Sequence, residues 1–324
     1  MADLGLYFRQ NLRPWVAFAV LATLFVVFIA MHPRGLSVFV MTTWSNQGVA
    51  LAFAAVGQMV VVVTGGLDLS IGAIMAITNS LASVVVNGSP LEVAFGVVLV
   101  ILAGAACGLV NGLVVVYGRI QPIVATLASG AVFTGIALLI RPIPGGDIDE
   151  GLSDALTYEV FGTLPASLLF LLAVVIAIWW PYRRSIMGRA IYGIGSSADA
   201  AYMSGLNVGA AKISAYVLAG VFAAFGGLFL SLQTLSGDAT IGFSYTLNSI
   251  AAVVIGGVAL SGGSGLVFGA IVGAFVLRTI SAMMFFSGLP PLAQPLIEGL
   301  VLLVAVSFGA LRLIRTRNRL QILG

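Results

Sequence analysis

Residues 61–74 read VVVTGGLDLSIGAI and set one carboxylate, Asp68, among apolar and small residues. A charge isolated in hydrocarbon costs at least about 2.5–3.5 kcal/mol, so an intramembrane carboxylate is either satisfied locally or placed on a route for solute, ion or proton. Gly65 and Gly66 interrupt the apolar run just before it, and Ser70 follows two positions later. Two chemistries fit. Asp68 or Ser70 can accept backbone N–H groups at the start of the helix that follows. Alternatively, Asp68 contacts a polar solute. Both readings stay open from the sequence.

The rest of the inventory excludes more than it offers. One cysteine, Cys107, cannot close an internal disulfide, and within AGAACGLVNG it reads as a small packing residue. The single His32 stands in MHPRG, which reads as an external loop. No zinc or haem site, no Ser–His pair and no paired-carboxylate site can be assembled from these residues, which disfavours an intramembrane enzyme, and no metal or cofactor is expected. The phosphate-binding pattern G-x-x-x-x-G-K-[ST] is absent, so ATP chemistry would have to come from another chain. For ion-coupled transport, the strong candidates are Asp68, Arg278 and Glu298.

The elements that must position these residues follow from composition. The 324 residues are 60% hydrophobic and 8% charged, whereas a soluble domain carries about 25% charged residues. The chain is therefore expected to be an all-α, polytopic membrane bundle with discontinuous segments. Breaks at Gly, Pro and charged clusters give about ten spans: 15–31, 47–64, 70–86, 92–117, 122–140, 164–180, 212–232, 248–260, 265–286 and 291–311. The first of these lacks a small-residue cleavage site and reads as an uncleaved helix. No linker divides the chain, so residues 1–324 are expected to form one transmembrane domain.

A cytoplasmic N-terminus puts eleven of the fourteen basic residues on the cytoplasmic side: Arg9, Arg13, Arg119, Arg183, Arg184, Arg189, Lys212, Arg312, Arg315, Arg317 and Arg319. Arg34 and Arg141 fall outside, with the acidic loop Asp147, Asp149, Glu150, Asp154 and Glu159. Both termini are thus expected in the cytoplasm. Aromatic and basic residues in IWWPYRRS, 178–185, mark a membrane interface.

Small residues recur at four-residue spacing as Gly104, Gly108, Gly112 and as Gly265, Gly269, Gly273, which lets helix backbones approach closely, chiefly within the chain. The opening stretch also has an echo. GGLDLSIG at 65–72 and GGVALSGG at 256–263 share G-G-x-x-L-S-x-G, so Gly65, Gly66, Asp68 and Ser70 are matched by Gly256, Gly257 and Ser261. A parallel repeat with two discontinuous helices beside a transport pathway is one reading; chance similarity in a Gly-rich chain is the other. Neutral polar residues, Asn46, Gln58, Asn79, Asn111, Thr126 and Ser129, are candidates to line such a pathway.

Segment 183–211 is basic at its start and contains ADAAYMSGLN, which reads as a short helix capped by Ser196 or Ser197 and ended by Gly205. A short helix between two spans can dock on a soluble partner.

Four stretches together carry a family resemblance: TGGLDLSIG (64–72), GRIQPIVATLASG (118–130), IYGIGSSADAAYMSGLNVGAAK (191–212) and LNSIAAVVIGGVALSGGSG (247–265). In this order and at these separations the chain resembles the permease subunits of bacterial ribose-type ABC importers, within the sugar and branched-chain amino-acid permease superfamily. The resemblance implies a type II importer-like fold in the bacterial inner membrane and a second permease chain, identical or different. It also implies two nucleotide-binding ATPase domains and a periplasmic binding protein that delivers a monosaccharide or similar polar solute; nucleic acid has no part. Segment 183–211 then looks like the coupling loop, with Gly195, Ser196, Asp199, Ala200, Ala201, Ser204 and Gly205 facing the ATPase.

One departure stands out. Relatives usually carry an acidic pair in the loop before IAAVVIGG and a basic residue after SGG; here stand Thr246, Asn248 and Ser264. Loss of both signs together would fit a heterodimeric pair of permeases. The expected function is a passive transport subunit, not an enzyme, with a self-contained ion-coupled secondary transporter as the alternative.

Overall fold

The computed structural model describes residues 12–288, together with 290, 293, 296, 297, 299, 300 and 303. Arg9, Arg312, Arg315, Arg317, Arg319, Glu298 and most of the expected span 291–311 lie outside the described residues.

Apolar periodicity and caps divide the chain into helices α1 (Leu12–Met31), α2 (Val38–Val63), α3 (Ile71–Val85), α4 (Pro90–Val116) and α5 (Pro122–Ile140). After these come α6 (Glu150–Thr157), a two-residue hairpin of β1 (Glu159–Val160) and β2 (Leu164–Pro165), and α7 (Ala166–Arg184). The second half holds α8 (Ile186–Ser196), α9 (Ala198–Met203), α10 (Val208–Thr234), α11 (Phe243–Ile255) and α12 (Val267–Phe286). Among the described residues, seven helices are long and apolar enough to cross a bilayer: α1, α2, α4, α5, α7, α10 and α12. Helices α3 and α11 are apolar but only 15 and 13 residues long, short of the roughly 20 residues that a span requires. The chain is a polytopic helical membrane protein.

Burial sorts the helices into centre and rim. The most apolar window of α2 is 89% buried and that of α10 is 72% buried, whereas α1 reaches 17% and α4, α5 and α7 each 28%. Helices α2 and α10 therefore form the core, and the rim helices turn side chains such as Phe95, Leu127, Leu139 and Ile176 outward, as lipid-facing positions require.

Glycines set the closest approaches. A Cβ on Gly108 would strike the carbonyl of Tyr216, and one on Gly220 would strike the carbonyl of Gly104, so α4 and α10 meet backbone to backbone. The stripe at 104, 108 and 112 is thus an internal seam. In the second stripe, Gly269 and Gly273 pack α12 against Gly256 and Ala252 of α11; Gly265 lies instead in the loop before α12, against Val258.

Two boundaries differ usefully from expectation. Helix α2 starts at Val38 rather than 47, because Ser37 caps it by accepting the Val40 N–H and Thr42, Ser45 and Asn46 are accommodated inside. Helix α11 runs over 243–255 rather than 248–260: its first two turns carry Ser244, Thr246 and Asn248, and the glycine pair ends it early. Thr246 and Asn248 consequently lie on a helix and not in a loop.

Candidate functional site: two helix breaks and an exposed short helix

Both breaks are built by the same backbone device. At the end of α2, Gly65 has φ +82°, its N–H donates to Val62 O at 2.9 Å, and the Gly66 N–H reaches Val61 O at 3.4 Å. At the end of α11, Gly257 has φ +83°, its N–H donates to Val254 O at 3.0 Å, and the Val258 N–H reaches Val253 O at 3.1 Å. These paired bonds satisfy the last carbonyls of each helix and need a residue that tolerates positive φ. Gly65 is therefore equivalent to Gly257, one position away from the register in which the two sequence motifs align. The remaining glycine of each pair answers to packing: a Cβ on Gly256 would strike the Gly269 carbonyl, and one on Gly66 would lie 3.1 Å from the Tyr216 hydroxyl. The matching also stops early, since α3 resumes at Ile71 but α12 only at Val267.

Asp68 sits fully buried inside the first break. Its Oδ1 accepts the Ser70 backbone N–H at 2.8 Å and the Ser70 hydroxyl at 2.6 Å. Ser70 occupies the N-cap position of α3 but makes no side-chain capping bond. Asp68 thus closes a tight turn on the cap residue, rather than capping the first turn from the cap position itself. The Ser70 hydroxyl in turn accepts Asn111 Nδ2 at 2.7 Å, and the Ser129 hydroxyl donates to Asn111 Oδ1 at 2.5 Å. Thr126 Oγ1 accepts the Leu69 N–H at 2.9 Å and donates to Pro122 O at 2.8 Å. One polar chain therefore ties the break to α4 and α5, and protein groups accept the Leu69 and Ser70 N–H of the non-helical backbone.

The other candidate lining residues are elsewhere. Asn79, on α3, accepts the Asp238 N–H at 2.7 Å and donates to Gly227 O at 3.3 Å, tying α3 to α10 and to the segment entering α11. Asn46 donates to Thr157 O at 2.7 Å, near α6. Gln58 is fully buried in α2, and neither amide atom has a hydrogen-bond partner among the described residues. Arg278 lies on α12 with its guanidinium carbon 5.0 Å over the Tyr245 ring. Thr246 accepts the Gly72 N–H at 3.2 Å, where α11 crosses the start of α3, and the Ser264 carbonyl accepts the Ala259 N–H at 3.1 Å.

At the end of the bundle that holds the α2 terminus, the chain forms α8 and α9. Ser197, not Ser196, caps α9 by accepting the Ala200 N–H at 3.3 Å; Ser196 donates to Tyr192 O at 3.0 Å instead. Gly205, at φ +79°, ends α9 with the same paired bonds, Gly205 N–H to Tyr202 O and Leu206 N–H to Ala201 O. Ala201 anchors the helix at 5% exposure, Ser204 donates to Ala200 O, and Asp199 and Ala200 point outward. The most protruding side chains are two that sequence reading missed, Tyr202 at 71% and Met203 at 85% exposure. Their signal was present in the motif: two bulky residues among Ala, Ser and Gly just before the stop. Two of the expected coupling residues face inward: Ala201 is buried, and the Gly195 backbone packs against Val63 and Gly263. Nearby, Arg183 lies 4.2 Å over the Tyr192 ring; burial pushes the Tyr192 phenol above its ordinary value, with the guanidinium opposing, and its hydroxyl donates to Gly265 O.

Comparison with known proteins places these features in context. The chain is 31% identical over 303 residues to the ribose import permease protein of Bacillus subtilis (strain 168), covering 92% of each. It is 29% identical over 328 residues to the galactose/methyl galactoside import permease protein of Escherichia coli (strain K12), covering 96% of this chain and 98% of the relative. It is 32% identical over 261 residues to the ribose import permease protein of E. coli (strain K12), covering 79% and 80%. No solved structure matches the chain. The family model described as branched-chain amino acid transport system / permease component matches residues 40–306, and the chain belongs to that family of transport permeases.

Proposed function

We propose that this chain is the membrane-spanning subunit of an ATP-driven ABC importer of type II architecture that moves a monosaccharide or similar polar solute into the cytoplasm. The observation that carries this reading is similarity over nearly the whole length to ribose and galactose import permeases. As a permease component it is a transport subunit and not an enzyme, and it carries no phosphate-binding loop of its own. Residues 1–324 act as one transmembrane domain of the bacterial inner membrane with both termini in the cytoplasm. A second permease chain, two nucleotide-binding domains and a periplasmic binding protein complete the transporter. Replacement of the acidic pair and the basic residue by Thr246, Asn248 and Ser264 favours a different chain as the second permease.

Within this reading, α9 is the element that docks on the ATPase. It is short, capped at both ends and exposed, and Tyr202 and Met203 supply the large side chains that dominate binding energy at interfaces. The two breaks, with Asp68, Ser70, Gly257 and Ser261, lie beside the pathway, where discontinuous helices belong in transporters. Asn111, Thr126 and Ser129 hold the first break rather than meet solute directly, because all of them bond within the protein. Solute choice rests with the binding protein. The test is uptake of radiolabelled ribose and galactose by proteoliposomes holding the complete transporter, with the cognate binding protein outside and ATP inside. Saturable uptake of a monosaccharide is expected, whereas transport of branched-chain amino acids and no sugar would overturn the solute assignment.

A further inference from the structure

The end of α8 meets both helix breaks at one point. A Cβ on Gly195 would run into the carbonyl of Val63, the last residue of α2, and into the N–H of Gly263. Those two groups are themselves bonded, Gly263 N–H to Val63 O at 2.9 Å. A Cβ on Gly262 would lie 2.8 Å from the Gly65 N, 2.9 Å from the Gly195 O and 3.0 Å from the Gly195 Cα. A Cβ on Gly263 would press on Ser196. One turn back on α8, the Tyr192 hydroxyl donates to Gly265 O at 3.0 Å, in the loop that leads into α12. Three backbones, from the end of α8, the first break and the loop after the second, thus touch without intervening side chains.

We infer that this contact at Gly195, clamped by Tyr192, is the joint that transmits displacement of α9 to the two helix breaks. The inference rests on the reading of α9 as the docking helix. Its physical basis is compliance. Side chains at an interface can change rotamer and absorb a shift of a fraction of an ångström, whereas backbone in van der Waals contact with backbone cannot, so close-packed elements move together. Ser197, extended at φ −163°, is all that separates α8 from α9, while residues 204–207 join α9 to α10, so a push on α9 reaches α8 without an intervening loop. At the far side, the two breaks begin with glycines at positive φ and continue as non-helical loops, which are the segments able to change dihedral angles. Gly195 and Tyr192 are accordingly positioning residues, acting through the breaks and touching neither ATP nor solute.

The test uses the complete transporter in nanodiscs and three readouts for each variant: co-purification of the ATPase subunit, melting temperature, and the ratio of ATPase activity with and without solute-loaded binding protein. Gly195→Ala must move α8 away from Val63 and Gly263. It is expected to keep co-purification and to lower the stimulation ratio at least fivefold. Tyr192→Phe removes the hydroxyl, with its bond to Gly265 O and its interaction with the Arg183 side chain, and keeps the ring under Arg183; it is expected to fold normally, dock normally and lower the ratio two- to threefold. Wild-type stimulation in Tyr192→Phe with docking intact overturns the joint, and so decides the matter even if Gly195→Ala does not assemble. Loss of co-purification in both variants also overturns it, by making this region part of the docking face. Tyr202→Ala separates the two readings: if it leaves co-purification and stimulation unchanged, the docking assignment of α9 fails independently of what Gly195 does.

Discussion

Asn111 of α4 donates from Nδ2 to the hydroxyl of Ser70, the last residue of the break, at 2.7 Å, and through that hydroxyl reaches Asp68. A buried carboxylate inside a membrane protein is thereby held by a chain of neutral donors, with two bonds to Oδ1 and, among the described residues, none to Oδ2. In this arrangement the carboxylate holds the turn that precedes α3, and the chain of bonds ties that turn to α4 and α5.

Substitution at Asp68 separates geometry from charge. Asn retains an oxygen that can accept both Ser70 bonds, so Asp68→Asn is expected to express and to transport at half the wild-type rate or better. Asp68→Ala leaves the Ser70 N–H and hydroxyl without their acceptor in a buried site, at a cost of about 1–3 kcal/mol, and should lower melting temperature and uptake together. Uptake lost in Asp68→Asn at an unchanged melting temperature would assign the charge itself to solute contact.

The seam between α4 and α10 makes a stability prediction. Gly108→Val must separate backbones that now touch, and overpacking of this kind costs about 1–3 kcal/mol or more. Gly135→Val, on the outer face of α5 where an added Cβ meets nothing within 4 Å, is the matched control and should melt near wild type apart from the small helix-propensity change. Thermal melting in detergent, followed by loss of monodisperse protein, reads both; equal melting temperatures would mean that the seam yields.

Docking has its own signature. Tyr202→Ala and Met203→Ala remove exposed side chains that make no described contact needed for the fold, so melting temperature should hold while affinity for the ATPase subunit falls at least tenfold for the pair together. Gly205 is a poorer probe. Any L residue there must adopt φ near +79°, which costs about 1–2 kcal/mol whatever it does to docking. Titration of the ATPase subunit onto immobilised permease checks the prediction, and unchanged affinity in the double variant would move the docking surface off α9.

Much of the scaffold was legible because its causes are local. Proline at 122 and the apolar run behind it fix the start of α5, and Arg141 follows its end, so the span 122–140 coincides with the helix. The glycine pairs announced both breaks, since positive φ is what ends these helices. What could not be read was register and reach. Two motifs that align at Gly65 and Gly256 are structurally offset by one, because either glycine of a pair can take the positive-φ position and packing decides which one does. Asn111 and Ser129 were visible as polar residues, but the chain from Ser129 through Asn111 to Ser70 depends on how three helices pack, and no spacing within one helix encodes it. The approach of Gly195 to Val63 is of the same kind: glycine gave the opportunity, and tertiary packing chose its use.

The most direct test of the central claim is the energy source. The chain should be purified and reconstituted in liposomes twice, once alone and once with its second permease chain and ATPase subunits, and solute accumulation measured with the loaded binding protein outside under imposed proton and sodium gradients or with internal ATP. The expected result is accumulation only in the complete assembly and only with hydrolysable ATP, with the chain alone inert under every gradient. Accumulation by the chain alone under a proton or sodium gradient would contradict it and would make this protein a self-contained carrier.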